Sequence, residues 1–235
     1  MIRLTDVKFR WQANARPVLD IRSFSVARGE RVFLKGPSGS GKTTLLNLLG
    51  GVAVPEAGQV SVMDTNLAAM RGARRDAFRA DHIGFIFQMF NLVPYLSLID
   101  NVALPCRFSA ARRRKAESSG MAVAAEARRL LARMGLDAES VGDRPVTELS
   151  VGQQQRVAAA RSLIGAPELL IADEPTSALD AETRMAFLDL LFSETAAAGS
   201  TLLFVSHDSA LEVRFDRVVA LRDVNRAAED AAAPA

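Results

Sequence analysis

Short apolar runs alternate along the chain with longer stretches of helical character, and this alternation predicts an α/β fold. The short runs place strands at residues 2–8, 18–26, 31–35, 58–63, 83–87, 168–172, 201–206 and 216–221. Leu169-Leu170-Ile171-Ala172 and Leu202-Leu203-Phe204-Val205 are continuously apolar, as central parallel strands covered on both faces are. In 18–26 the apolar positions Val18, Ile21, Phe24 and Val26 are interleaved with polar ones, as in a half-buried antiparallel strand. Residues 98–165 contain no strand-like run and are rich in the helix formers Ala, Arg, Leu and Glu. They are expected to form a helical subdomain inserted into an α/β core. Beyond about residue 225 the chain is Ala-, Glu- and Asp-rich and ends Ala-Pro-Ala. That composition has little to bury, so a single domain over 1–225 and a frayed tail over 226–235 are expected.

Composition narrows the setting. The 235 residues carry 29 Lys and Arg against 27 Asp and Glu, a net charge of +2, which gives no argument for a nucleic-acid partner. The basic run Arg112-Arg113-Arg114-Lys115 lies among Ala, Glu and Ser and reads as a solvated helix face. No stretch reaches the roughly 18 consecutive apolar residues that a membrane span requires. Met1-Ile2-Arg3-Leu4-Thr5-Asp6 lacks the apolar core of a signal peptide. One cysteine, Cys106, excludes an internal disulfide and suits a reducing compartment. The chain is therefore expected in the cytosol, reaching a membrane only through a partner.

Residues 36–43, Gly-Pro-Ser-Gly-Ser-Gly-Lys-Thr, match the phosphate-binding loop G-x-x-x-x-G-K-[ST] at every fixed position. Val32-Phe33-Leu34 leads in as a strand, and Thr44-Leu45-Leu46-Asn47-Leu48-Leu49 leads out as a helix. Gly36, Pro37, Ser38, Gly39, Ser40 and Gly41 would wrap backbone N–H groups around a polyphosphate. The helix that Thr44 continues would present its positive end to the same anion. Lys42 can reach the β- and γ-phosphates, and the Thr43 hydroxyl can ligate Mg²⁺. A Gly/Ser-rich turn before a lysine would be the bland alternative; the strand–loop–helix context disfavours it.

Leu169-Leu170-Ile171-Ala172-Asp173-Glu174 is a buried strand ending in two acids, which delivers both to the C-terminal sheet edge where α/β folds bind ligands. Asp173 suits Mg²⁺, and Glu174 suits orientation of an attacking water. Leu149-Ser150-Val151-Gly152-Gln153-Gln154-Gln155-Arg156 resembles the signature of ATP-binding cassette (ABC) ATPases, usually Leu-Ser-Gly-Gly-Gln. A helix N-cap would explain Ser150 but not the glutamine run followed by Arg156 and Arg161. Val151 departs from the family pattern, which has glycine there; its side chain is expected to point away from the phosphates.

Three shorter segments keep the family's order. Gln88, after Gly84-Phe85-Ile86-Phe87, resembles the glutamine that links Mg²⁺ and the attacking water to the helical subdomain. Ser177-Ala178-Leu179-Asp180 resembles the loop that crosses the dimer interface. His207, in Val205-Ser206-His207-Asp208, resembles the switch histidine of the γ-phosphate. Trp11 resembles the aromatic that stacks on adenine, with Phe9 as the competing candidate. His82 fits no motif and reads as structural.

The resemblance covers about residues 2–222. It implies a P-loop NTPase core, mainly a parallel sheet flanked by helices, with an antiparallel β subdomain and an inserted helical subdomain. It also implies ATP and Mg²⁺ as cofactors and a head-to-tail homodimer. ATP would be clamped between the loop of one copy and Ser150, Gly152 and Gln153 of the other. Asn47-Leu48-Leu49-Gly50-Gly51, the run from Phe85 to Pro94 and Gln153-Gln154-Gln155-Arg156 resemble the lipoprotein-releasing and macrolide-efflux type. The resemblance implies an ATPase that powers an exporter or extraction complex with a separate permease, at the cytoplasmic face of the inner membrane, without touching cargo. The alternative is a regulatory ATPase that controls an envelope process through a membrane partner. Residues 89–105, apolar and Pro-interrupted, are either core of the helical subdomain or a groove for a permease helix.

Overall fold

A computed structural model describes residues 1–118, 120–137 and 144–228. Strand β1 (Ile2–Phe9) pairs antiparallel with β2 (Leu19–Val26) on one side and β4 (Ala57–Val62) on the other, and β5 (Thr65–Asn66) extends the edge. The second sheet has the order β6-β7-β8-β3-β9, with β3 at Arg31–Lys35, β6 at Ile83–Ile86, β7 at Leu169–Asp173, β8 at Thr201–Val205 and β9 at Arg217–Ala220. Its β3–β9 and β6–β7 pairs are parallel.

The buried positions of β1 change parity. Ile2 and Leu4 face the core, then Val7 and Phe9 do. Asp6 adopts φ +49°, and the register of β1 against β4 shifts between Thr5 and Lys8. This bulge inserts one residue and turns the next apolar pair back to the same face.

The chain divides into two compact units, Met1–Arg79 with Leu203–Ala235, and Ala80–Leu202. In the first, Phe33 of β3, Phe204 of β8 and Phe215 form an aromatic cluster, with ring centroids 5.1 to 6.0 Å apart. In the second, α3 (Leu98–Ala103), α4 (Pro105–Phe108), α5 (Ala110–Ala116), α6 (Val123–Arg133) and α7 (Val151–Leu163) fill the region expected to be helical. The long α8 (Ala181–Ala198) is tied to α6 by the buried Glu194 carboxylate, which Arg129 and Arg133 both reach.

Three expectations need correction. The run 112–115 is a solvated face at Arg113, Arg114 and Lys115 but not at its first residue. Arg112 is buried, and its guanidinium donates to the carbonyl oxygens of Ser162 (2.6 Å) and Ile164 (2.8 Å) at the end of α7. Burial pushes that guanidinium down to about 10; it serves as a C-terminal cap supplied from another helix. Secondly, the strand expected over 216–221 stops at Ala220, and Leu221 begins a short helix, α9 (Leu221–Val224). Thirdly, the tail does not fray at 226: Arg226–Ala228 forms a 3₁₀ turn, and residues 229–235 lie outside the described part. His82, read as structural, pairs with Glu168 at 3.0 Å.

Candidate functional site

In the first unit the loop after β3 ends at Gly41, and α1 (Lys42–Leu49) starts there. Gly39 and Gly41 take φ +79° and +98°. At Gly41 an added Cβ would meet Leu19 Cδ2 at 3.0 Å and the Val18 carbonyl oxygen at 3.2 Å, so both the dihedral and the space require glycine. Helix α1 has no side-chain cap and no acid in its first turn. Its leading N–H groups and positive dipole end therefore suit an anion. Lys42 Nζ curls over the loop, donating to the carbonyls of Gly36 (2.6 Å) and Pro37 (3.0 Å). The Ser40 hydroxyl is buried with no partner among the described residues. Left-handed glycines, an uncapped helix start, a lysine and an unsatisfied hydroxyl fit a polyphosphate. Thr43 is exposed, whereas Thr44 is buried, so Thr44 can offer such a ligand only its backbone.

His207 follows β8 in the same unit and is exposed. The Ser206 backbone N–H donates to the Leu34 carbonyl (3.3 Å), so His207 and the phosphate loop leave one edge of the sheet. Of the two aromatic candidates, Phe9 is buried and Trp11 is 59% exposed. Their rings meet edge to face at 4.9 Å, so only Trp11 has a face open to a base. Asn225 escaped the sequence reading. Its buried carboxamide accepts from the Asp20 and Ala227 N–H groups and donates to the carbonyls of Val18 (3.0 Å) and Ser40 (3.4 Å).

In the second unit β6 and β7 run parallel, with Ile86 opposite Ala172, so Gln88 and the acid pair leave the same sheet edge. Glu174 is 8% exposed and takes φ +48°. That region is unfavourable for a side-chain-bearing residue, more so before a proline. The turn is held by the Ser177 N–H on the Glu174 carbonyl (3.3 Å) and by the Gln155 amide on the Pro175 carbonyl. Strain of this kind concentrates at functional sites. Gln88 is exposed in a turn closed by the Phe90 N–H on the Phe87 carbonyl (2.9 Å). Asp180 caps α8, accepting from the Thr183 N–H (2.9 Å) and hydroxyl (2.8 Å). The backbone bond and then the hydroxyl bond hold its carboxyl below the usual range.

Ser150 caps α7 in a reciprocal box. Its hydroxyl accepts from the Gln153 N–H (3.3 Å), and the Gln153 side chain accepts from the Ser150 N–H (2.9 Å). Capping thus accounts for Gln153 as well as Ser150. Val151 is the first helical residue, 52% exposed, and is not among the residues with positive φ. The backbone there has no need of glycine. Val151→Gly is expected to change the ATPase rate by less than about threefold, since Cβ loss relieves no dihedral strain. A steady-state rate raised tenfold or more would show that the valine obstructs the site. Among the described residues no cluster of three or more His, Cys, Asp or Glu forms.

Comparison with known proteins places these features. Residues 19–177 match the ABC transporter family model. The lipoprotein-releasing system ATP-binding protein LolD of Chromohalobacter salexigens is 42% identical over 214 residues, 91% of this chain and 86% of that protein. The macrolide export ATP-binding/permease protein MacB of Chromobacterium violaceum is 41% identical over 221 residues, which are 93% of this chain but 32% of that longer protein. Among solved structures, a dimeric post-hydrolysis state of the ATP-binding cassette MJ0796, bound to ADP and Pi, superposes with a TM-score of 0.81 at 32% identity, covering 94% of each chain. The chain belongs to the ABC transporter family and is an ATPase of that class, similar to the LolD and MacB ATP-binding proteins.

Proposed function

We propose that this ATPase powers a membrane exporter or extraction complex through a separate permease, as a head-to-tail homodimer at the cytoplasmic face of the inner membrane. The observation that carries the reading is the segment around and after Gln88. Phe87, Met89 and Tyr95 are exposed, the last two at 80% and 83%, directly beside the glutamine turn. Buried Asn101 holds that segment in shape, accepting from the Val93 N–H and donating to the carbonyls of Val93, Leu96 and Ser97. A preformed apolar edge of this kind suits an amphipathic helix of a partner.

The chemistry we assign is in-line attack of water on the γ-phosphorus of ATP. Gly36 through Thr43 and the Thr44 backbone hold the phosphates, and Trp11 stacks on adenine. Lys42 and His207 stabilise the transferring charge, and Glu174 orients the water. Thr43, Gln88 and Asp173 are all oxygen donors and suit Mg²⁺, which would neutralise charge on the β- and γ-phosphates. Ser150, Gly152 and Gln153, at the start of the partner copy's α7, meet the γ-phosphate from the other side, with Asp180 at the shared interface. Loss of the γ-phosphate then removes the bridge between copies.

A tagged chain extracted gently from its native membranes tests the reading. Recovery of a permease with few spans and a large extracytoplasmic domain is expected, and Tyr95→Glu should lose it while keeping basal ATPase. A binding-protein-dependent importer would overturn the direction. An envelope enzyme recovered in place of a transporter would favour the regulatory alternative. Equal recovery by Tyr95→Glu would exclude this segment as the docking edge.

A further inference from the structure

Helix α7 is known here for its first turn, yet its far end carries a charged side chain that no assigned role uses. Arg161 lies three turns along the helix and is 8% exposed. Its guanidinium donates to the main-chain carbonyls of Asn91 (2.6 Å) and Phe90. Phe90 and Asn91 are consecutive non-glycine residues at φ +58° and +50°. Two neighbouring left-handed residues are unfavourable unless their surroundings enforce them. Their carbonyls receive both prongs of the planar fork, a geometry open to arginine and not to the point charge of lysine. These residues complete the turn that holds Gln88, closed by the Phe90 N–H on the Phe87 carbonyl (2.9 Å) and the Asn91 N–H on the Met89 carbonyl (2.6 Å).

The same helix is fixed against the strand that leads into that turn. At Gly84 of β6, an added Cβ would lie 2.3 Å from the Ser162 carbonyl oxygen; strand and helix backbones meet with no side chain between them. The Arg112 guanidinium holds the carbonyl end of α7 in place. Burial pushes the Arg161 guanidinium down to about 10, so it stays charged through the neutral range while its desolvated charge is served by two carbonyl oxygens.

We infer that Arg161 is a positioning residue for ATP hydrolysis: it clamps the left-handed turn at Phe90 and Asn91 to α7 and thereby sets the placement of Gln88. The inference rests on the role proposed above for Gln88. It makes α7 a rod whose first turn carries Ser150 and whose far end governs the glutamine turn.

Amide hydrogen exchange on the full chain without nucleotide, and steady-state ATPase rates, test it together. Arg161→Met is expected to speed exchange across residues 87–93 at least about tenfold while α7 amides keep their protection. Turnover should fall about tenfold, with a smaller change in the KM for ATP. Arg161→Lys should fall between the two, since it restores the charge but not the fork. In a Gln88→Ala background, Arg161→Met should add less than about a twofold further loss, because both changes act through one side chain. Equal fold losses in both backgrounds, or unchanged exchange at 87–93, would overturn the clamp as a positioning device. If Arg161→Met fails to fold, Arg161→Lys carries the same comparison. Normal turnover in Gln88→Ala alone would overturn the role given to Gln88 and the catalytic half of this inference, while exchange still decides the clamp.

Discussion

Glu174→Gln is expected to keep ATP and lose turnover by about a hundredfold or more, the scale of a missing general base. The exchange is isosteric, so the buried, left-handed turn between Asp173 and Pro175 is retained. On the role proposed for Glu174, what changes is the ability to draw a proton from the attacking water. With ATP still present and hydrolysis slow, the proposed phosphate bridge between copies should persist. The variant should therefore elute as a dimer in the presence of ATP and as a monomer after its removal. Size-exclusion chromatography beside a phosphate-release assay reads both. Hydrolysis at the wild-type rate would remove Glu174 from the role proposed for it.

Lys42→Ala is expected to fail one step earlier. The ammonium sits on the carbonyls of Gly36 and Pro37, at the mouth of the loop and beside the uncapped start of α1. A charge-assisted contact to phosphate contributes about 1.5–3 kcal/mol, so ATP affinity should weaken about tenfold or more. Loss of charge stabilisation in the transition state should lower turnover by a further hundredfold or so. Titration of a fluorescent ATP analogue separates this from Glu174→Gln, whose affinity should be kept. Wild-type affinity in Lys42→Ala would show that the backbone N–H groups alone hold the phosphates.

The difference between what could and could not be read from the chain follows contact range. The phosphate loop was legible because its eight residues are contiguous and its glycines answer to local dihedrals, as φ +79° at Gly39 and +98° at Gly41 show. The strand ending in Asp173 and Glu174 was legible because a run buried on both faces leaves an unbroken apolar signature. Arg112 was misread because its neighbours in sequence are those of a surface helix, while its partners, Ser162 and Ile164, lie 50 and 52 residues away. Arg161 stood out as unexplained by a simple cap, but its carbonyl partners lie 70 and 71 residues away and side-chain identity does not encode them. The parity change in β1 escaped for another reason: a strict two-residue period has no place for the bulge at Asp6.

The Asn225 carboxamide has a consequence for anyone handling this protein. It links the segment after α9 to the backbone at Val18, Asp20 and Ser40, and Arg226 adds an ion pair to Asp20 at 3.4 Å. The useful cut site for a shortened version is therefore set by an amide side chain and not by the last strand, which ends five residues earlier at Ala220. Trimming to the end of β9 would remove a brace from the phosphate loop while leaving every recognisable sequence motif in place. Affinity handles and fluorescent fusions belong beyond Ala228, where they leave that brace untouched.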